Sequence, residues 1–202
     1  MPGVSAGVRS DGAHREAVGP ALCEECGGRD HEGAGSSLVA TRAYISFGSN
    51  IAPEENVRRA LLLLTREMRV VGMATVYRTK PVGRPEQNDY LNGIVAVEVE
   101  LGEGELRAAL REIERKLGRV RSEDRYAART MDLDLVGYGK TVAQEASERA
   151  FVGVPLAELA PGLCVSGGEE TVEEAAGRMS REEMVALPEF TRRLREELGL
   201  EH

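Results

Sequence analysis

Apolar and polar positions alternate from Arg42 to Phe47, with Ala43, Ile45 and Phe47 on one side and Arg42, Tyr44 and Ser46 on the other. That period of two predicts a strand, closed by the turn Gly48-Ser49-Asn50. Pro53 then stands where a helix opens and a missing N–H costs nothing. Val57, Ala60, Leu61, Leu64 and Met68 follow at helical spacing and give that helix one buried face. Val70 to Tyr77 reads as a second strand, and Arg78 to Pro85, with two prolines and a glycine, as a loop. A third strand runs from about Tyr90 to Leu101, with Val95, Val97, Val99 and Leu101 on one face and Glu98 and Glu100 on the other. A second helix spans roughly Glu103 to Leu117 on the stripe Leu106, Leu110, Ile113 and Leu117. Gly118 sits where a helix commonly ends in a left-handed residue. The fourth strand is Met131 to Tyr138.

Strand, helix, strand, strand, helix, strand is the split βαβ order of an α+β, ferredoxin-like fold. It predicts a four-stranded antiparallel sheet with both helices on one face and the other face open. Beyond it, Lys140 to Glu148 is polar and reads as loop, and Phe151 to Leu159 is apolar enough to pack back on the sheet. Thr171 with Glu174, and Ser180 with Glu183, carry the capping signal of short helices. Pro188 precedes a last helix that ends near Gly199. Residues 1–37, rich in Gly, Ala, Ser and charge, show no period and read as a disordered or loosely ordered leader. The chain thus divides into that leader, a domain over 38–166 and a helical C-terminal extension over 167–202.

Composition narrows the function. A formal charge of −8 over 202 residues argues against a nucleic-acid binder, whose affinity rests on a net basic face. The same strand order serves RNA-recognition modules, but their aromatic-rich central strands are missing here. No apolar run approaches the roughly 18 residues of a membrane span, and the N-terminus lacks a signal-peptide pattern. A cytoplasmic protein is expected, and three cysteines then imply reduced thiols rather than a disulfide framework. Cys23-x-x-Cys26 with His31 has the start of a zinc pattern, with His14 as the only other nearby ligand type; a lone pair of this kind is more simply incidental.

The chemistry gathers between Gly118 and Gly139. Arg119, Arg121, Arg125 and Arg129 crowd one loop, and Asp132 and Asp134 follow in an apolar strand. Residues two apart on a strand share a face, roughly 6.5–7 Å from each other. Both carboxylates therefore point one way, and Leu133 and Leu135 the other. Such a pair suits one or two hard cations, and Mg²⁺ is typically held by one or two carboxylates together with substrate phosphates. Guanidinium forks match phosphate oxygens. A basic pocket in an acidic chain favours a small phosphorylated ligand over a polyanion.

The stretches AYISFGSN, YRTKPVG, QNDYLN, LGRVR, RTMDLDL and PLAELAP, in this order between Ala43 and Pro161, resemble the 6-hydroxymethyl-7,8-dihydropterin pyrophosphokinases of folate biosynthesis. The resemblance implies pyrophosphoryl transfer from ATP to the pterin hydroxymethyl group with release of AMP, using two Mg²⁺ ions. It implies that Asp132 and Asp134 hold the metal and that Arg119 and Arg129 contact the triphosphate. Arg121, Arg125, Tyr126, Arg149 and Glu114 fall to the nucleotide, and Thr79, Val82, Tyr90, Asn92 and Phe151 to the pterin. Tyr90 and Phe151 can face a flat heteroaromatic ring, and Asn92 offers it both a donor and an acceptor. The expected partners are these two small molecules, with no nucleic acid and no membrane, and the expected state is a monomer. Two departures stand out. Ala127 and Ala128 replace a Gly-Pro pair, and the segment after Gly139 lacks the family's Pro-His strand. The second departure implies an altered grip on the nucleotide, and it raises the rival reading of a pterin- or nucleotide-binding homologue with little turnover.

Overall fold

The computed structural model of the chain describes residues 40–120, 124 and 126–200. The leader with His14, Cys23, Cys26 and His31, together with Arg121 and Arg125, lies outside the described residues. The elements are β1 (Thr41–Ser49), α1 (Pro53–Glu67), β2 (Arg69–Met73), β3 (Tyr77–Thr79), β4 (Tyr90–Val99), α2 (Glu103–Lys116) and β5 (Asp132–Tyr138). They continue with β6 (Thr141–Val142), α3 (Glu145–Glu148), α4 (Ala150–Leu159), α5 (Val172–Gly177), β7 (Met184–Ala186) and α6 (Pro188–Glu197).

The ferredoxin-like core is present, and the sheet is wider than the four strands predicted. Among the described residues it has seven strands in the order β6-β5-β1-β4-β3-β7, with β2 also paired to β4. β1 lies at its centre, antiparallel to both β4 and β5. The predicted strand from Val70 to Tyr77 divides in two. Met73 still pairs with Val95 and Tyr77 with Asn92, but the amides of Thr75 and Val76 go to side chains of Glu158 and Thr191.

One face of the sheet carries Ile45, Phe47, Val95, Val97, Leu133 and Leu135, which bury against Leu61 and Leu64 of α1 and Leu110 and Ile113 of α2. These are the alternating positions read from the sequence. The opposite face is not left open, because the segment Phe151 to Leu159 packs back on the sheet as its apolarity predicts, within α4. Tyr44, Ile94, Ala96 and Val136 bury there against Val152 and Leu156 of α4 and Val172 and Ala175 of α5. The reason lies in α4 itself: AFVGVPLAEL is apolar all round until Glu158, and a helix of that kind is stable only when covered. The cover reaches only half of the face. Ser46, Gly48, Tyr90, Asn92, Asp132 and Asp134 remain around a cleft at the other half.

Two further expectations are corrected. Lys140 to Glu148 is not a plain loop, because β6 hairpins back onto β5 and α3 follows it. Thr171 and Glu174 form the reciprocal cap of α5, but the similar signal at Ser180 starts no helix. Met184–Ala186 pairs with β3 instead, since a strand edge offering ladder hydrogen bonds outweighs a local cap. Among the described residues, no helix is long and apolar enough to cross a membrane.

Candidate active site

The cleft encloses about 670 Å³. Its floor is the uncovered half of the sheet, with Ser46 and Gly48 from β1, Asn92 from β4 and Asp132 and Asp134 from β5. The β3–β4 loop forms one wall through Lys80, Val82 and Gln87, and Tyr126 and Arg129 form another. Glu145, Glu148, Arg149 and Phe151 close the far side.

Backbone geometry delivers the arginines. Gly118, at φ +78°, ends α2, and the amides of Gly118 and Arg119 donate to the carbonyls of Arg115 and Glu114, both at 3.0 Å. This paired closure needs a left-handed residue at Gly118, and it fixes where Arg119 leaves the helix. The arginine's side chain is only 13% exposed and donates from Nη2 to Asp132 at 2.9 Å. Its Nε and Nη1 are buried without a hydrogen-bond partner, so Arg119 holds two donors in reserve. Arg129 pairs with the second oxygen of Asp132. Its backbone is pinned by Asn50, which is 1% exposed: the Arg129 amide donates to Asn50 Oδ1 at 2.7 Å and the Asn50 amide donates to the Arg129 carbonyl at 3.1 Å. The Asn50 side-chain amide in turn donates to Gln87 at 3.0 Å, and Gln87 donates to the Tyr126 carbonyl at 2.9 Å. One buried asparagine thus ties the end of β1 to both loops over the cleft.

Asp132 is charge-balanced by two guanidiniums, and Asp134 is not. Partial removal from bulk water raises the Asp134 carboxyl above the ordinary aspartate value; the Asp132 and Glu114 carboxylates push the same way, and Arg129 and Arg119 offset only part of this. Its charged form is therefore less favourable folded than unfolded, a penalty absent at low pH that develops as pH rises through the Asp134 titration. Asp134→Asn is expected to melt with the wild type at acid pH. At neutral pH, with a chelator present, it should melt roughly 2 °C higher, a small gain because the group is partly solvent-screened. Excess Mg²⁺ should raise the melting point of the wild type alone. A neutral-pH melting point below wild type in chelator would refute this account.

On the pterin side, the Asn92 side-chain amide donates to Thr79 Oγ1 at 2.7 Å, which leaves the threonine hydroxyl free to donate elsewhere. A Cβ on Gly48 would lie 2.6 Å from Asn92 Oδ1, so glycine there gives the asparagine its place. Burial, the largest cause, holds the Tyr90 phenol above its usual range and so neutral. Val82 is 69% exposed at the cleft mouth.

The cleft brings together Thr79, Val82, Tyr90, Asn92, Tyr126, Arg129, Asp132, Asp134, Arg149 and Phe151, with Arg119 reaching it through Asp132. Glu114 does not line it. That residue is 2% exposed, neither a solvated helix face nor a cleft wall, and its carboxylate accepts the Leu133 amide at 2.9 Å, which anchors the strand between the two aspartates. Sequence reading missed Asn50, Lys80, Gln87, Arg107, Glu145 and Glu148. Only Asn50 carried a signal, a polar residue ending an apolar strand at a tight turn.

A ferredoxin-like sheet bearing paired carboxylates and converging arginines in one cleft belongs to a transferase of phosphate groups. The model of the 7,8-dihydro-6-hydroxymethylpterin-pyrophosphokinase (HPPK) family matches residues 44–161. The chain belongs to this family, and its activity is pyrophosphoryl transfer from ATP to the pterin in folate biosynthesis. It is 40% identical to the 2-amino-4-hydroxy-6-hydroxymethyldihydropteridine pyrophosphokinase of Methylorubrum extorquens over 151 residues, covering 69% of this chain and 94% of the relative. The Pseudomonas aeruginosa protein of the same description is 35% identical over 144 residues, 65% of this chain and 88% of the relative. The fold is shared with a solved structure described as "Crystal Structure Analysis of the HPPK-DHPS in complex with substrates", at a TM-score of 0.51 and 12% identity, covering 69% of this chain and 43% of that one.

Proposed function

We propose that the cleft over β1, β4 and β5 is where the transfer takes place, with the triphosphate at Asp132, Asp134, Arg119, Arg129 and Arg149 and the pterin between Tyr90 and Phe151. The observation that carries this reading is the convergence of Arg119 and Arg129 on Asp132 beside an unbalanced Asp134. Two carboxylates on one strand face are a hard-oxygen donor set that fits Mg²⁺, and Asp132 and Asp134 are the residues to hold one or two such ions. Bound there, the cation supplies charge neutralisation of the phosphates and eases deprotonation of the attacking hydroxyl. Asp132 would hold the cation together with Asp134, and Arg119 and Arg129, which converge on Asp132, would face phosphate oxygens there, with the two unpartnered nitrogens of Arg119 giving it the capacity to bind them.

Thr79 and Asn92 fix the edge of the pterin, Tyr90 and Phe151 its faces, and Val82 covers the mouth. Transfer of this kind needs positioning and charge neutralisation more than a strong base, which suits a cleft lined by arginines and acids and, among the described residues, by no histidine. Arg121, Arg125 and Tyr126 complete the nucleotide side in this reading. The protein works on its two small-molecule substrates as a cytoplasmic monomer.

The direct test mixes protein, ATP, Mg²⁺ and 6-hydroxymethyl-7,8-dihydropterin and follows AMP. AMP release that depends on both pterin and metal is expected. Pterin binding with no AMP would favour the rival reading of a non-catalytic homologue.

A further inference from the structure

The family match ends at residue 161, and α6 lies beyond it, yet α6 holds the segment that carries Thr79. Between β2 and β3 the Ala74 amide still donates to the Ile94 carbonyl of β4 at 2.9 Å and the Thr75 amide donates to Glu158 at 2.8 Å, but the Met73 carbonyl and both backbone polar groups of Val76 need other partners. Helix α6 and the turn before it supply them. The Val76 amide donates to Thr191 Oγ1 at 2.9 Å, and the Val76 carbonyl accepts the Leu187 amide at 2.9 Å. The Met73 carbonyl accepts both Nε and Nη2 of Arg195 at 3.0 and 2.7 Å. Val76 is fully buried and Thr191 is 3% exposed, so solvent cannot replace the hydroxyl. Three residues after Val76 stands Thr79, whose hydroxyl oxygen receives the Asn92 amide at 2.7 Å and whose strand has only three residues to fix it.

We infer that Thr191 and Arg195 are positioning residues for pterin recognition: they hold the β2–β3 gap in place, and through it the Thr79–Asn92 pair. This deepens the assignment of Thr79 and Asn92 to the pterin and rests on it. Neither α6 residue lines the cleft, so the effect must travel through β3. It must also be selective, because Asp132, Asp134, Arg119 and Arg129 hang from β5 and the end of α2, and Arg149 from the junction of α3 and α4, not from β3.

Thr191→Val removes the hydroxyl at nearly constant shape, and Thr191→Ser restores it. The expected result is a pterin Kd, measured by direct titration, raised roughly fivefold in the valine variant, which is what about 1 kcal/mol represents. The pterin KM should rise in parallel, with kcat at saturation and the ATP KM unchanged, and serine should restore both. Val57→Ala, on the buried face of α1, destabilises the protein away from β3 and should leave the pterin Kd alone. Thr79→Ala separates the two levels. If it leaves pterin affinity unchanged, the pterin assignment itself is wrong. If it weakens binding while Thr191→Val does not, or if Val57→Ala weakens binding equally, the positioning role is overturned and the assignment stands.

Discussion

Asp132→Ala is expected to lower AMP release by about a thousandfold, a loss on the order of 4 kcal/mol of transition-state stabilisation, while pterin affinity stays within about twofold. The pterin contacts assigned to Thr79 and Asn92 lie on β3 and β4, and Asp132 makes none of them. The carboxylate serves two states. Without substrate it gathers Arg119 and Arg129, and with ATP it is assigned to the metal. Its removal therefore has a second, separable consequence. Arg119 loses the one hydrogen-bond acceptor recorded for its guanidinium at 13% exposure, and an unpaired, largely buried charge is destabilising. The alanine variant should melt lower than wild type without ligand, and Asp134→Asn should melt higher, although both lose turnover. Opposite shifts in stability with the same loss of activity are hard to obtain from general damage to the strand. Turnover within tenfold of wild type would remove Asp132 as a metal ligand, and a shift of both variants in the same direction would refute the charge assignment.

The core was legible where one face of an element meets a continuous partner. The positions Ala43, Ile45 and Phe47 and the stripe Leu106, Leu110, Ile113 are buried as their period requires, and α1 and α2 begin at Pro53 and Glu103 where the pattern places them. Gly118 signalled the helix end, and its left-handed φ is what sets Arg119 in position. What could not be read were the short pieces whose state is chosen by a neighbour. Met184–Ala186 is a strand because β3 offers an edge, and nothing local distinguishes it from the helix start that Ser180 suggested. Thr141–Val142 is two residues long and exists only as a hairpin on Gly137 and Tyr138. The covered half of the second sheet face was latent in the unbroken apolarity of α4, but which half it covers depends on tertiary packing.

The site shows the same division. Its charged residues were visible because four arginines before Asp-Leu-Asp is an unusual density of charge. The residues that hold them were not. Asn50 and Glu114 act through backbone amides of residues 79 and 19 positions away, contacts to which no period in sequence corresponds. Glu114 is instructive, since the resemblance assigned it to the nucleotide and the fold gives its carboxylate the Leu133 amide as well. An acid there keeps Asp132 and Asp134 in register and adds to the negative potential that raises Asp134.

Gly153→Ala is expected to cost about 2 to 3 kcal/mol, which for a domain of this size lowers the melting temperature by roughly 6 °C. A Cβ at that position would lie 2.2 Å from the Ala146 carbonyl oxygen and 2.8 Å from the Met179 methyl carbon. The methionine can turn aside, but the carbonyl belongs to α3 and yields only if α3 moves as a body. One residue, Arg149, joins α3 to α4, with its amide on the Glu145 carbonyl at 3.0 Å and its own carbonyl accepting the amides of Val152 and Gly153, each at 2.9 Å. Displacing α3 therefore displaces Arg149 and Phe151, the residues assigned to the phosphates and to one face of the pterin. The loss should appear in ATP and pterin affinity together, unlike the pterin-only effect of Thr191→Val. Gly104→Ala, where a Cβ meets nothing within 4 Å, should leave the melting temperature unchanged or raise it slightly. A Gly153→Ala protein that melts like wild type and binds both substrates normally would show that the close approach of α3 to α4 does not position this side of the cleft.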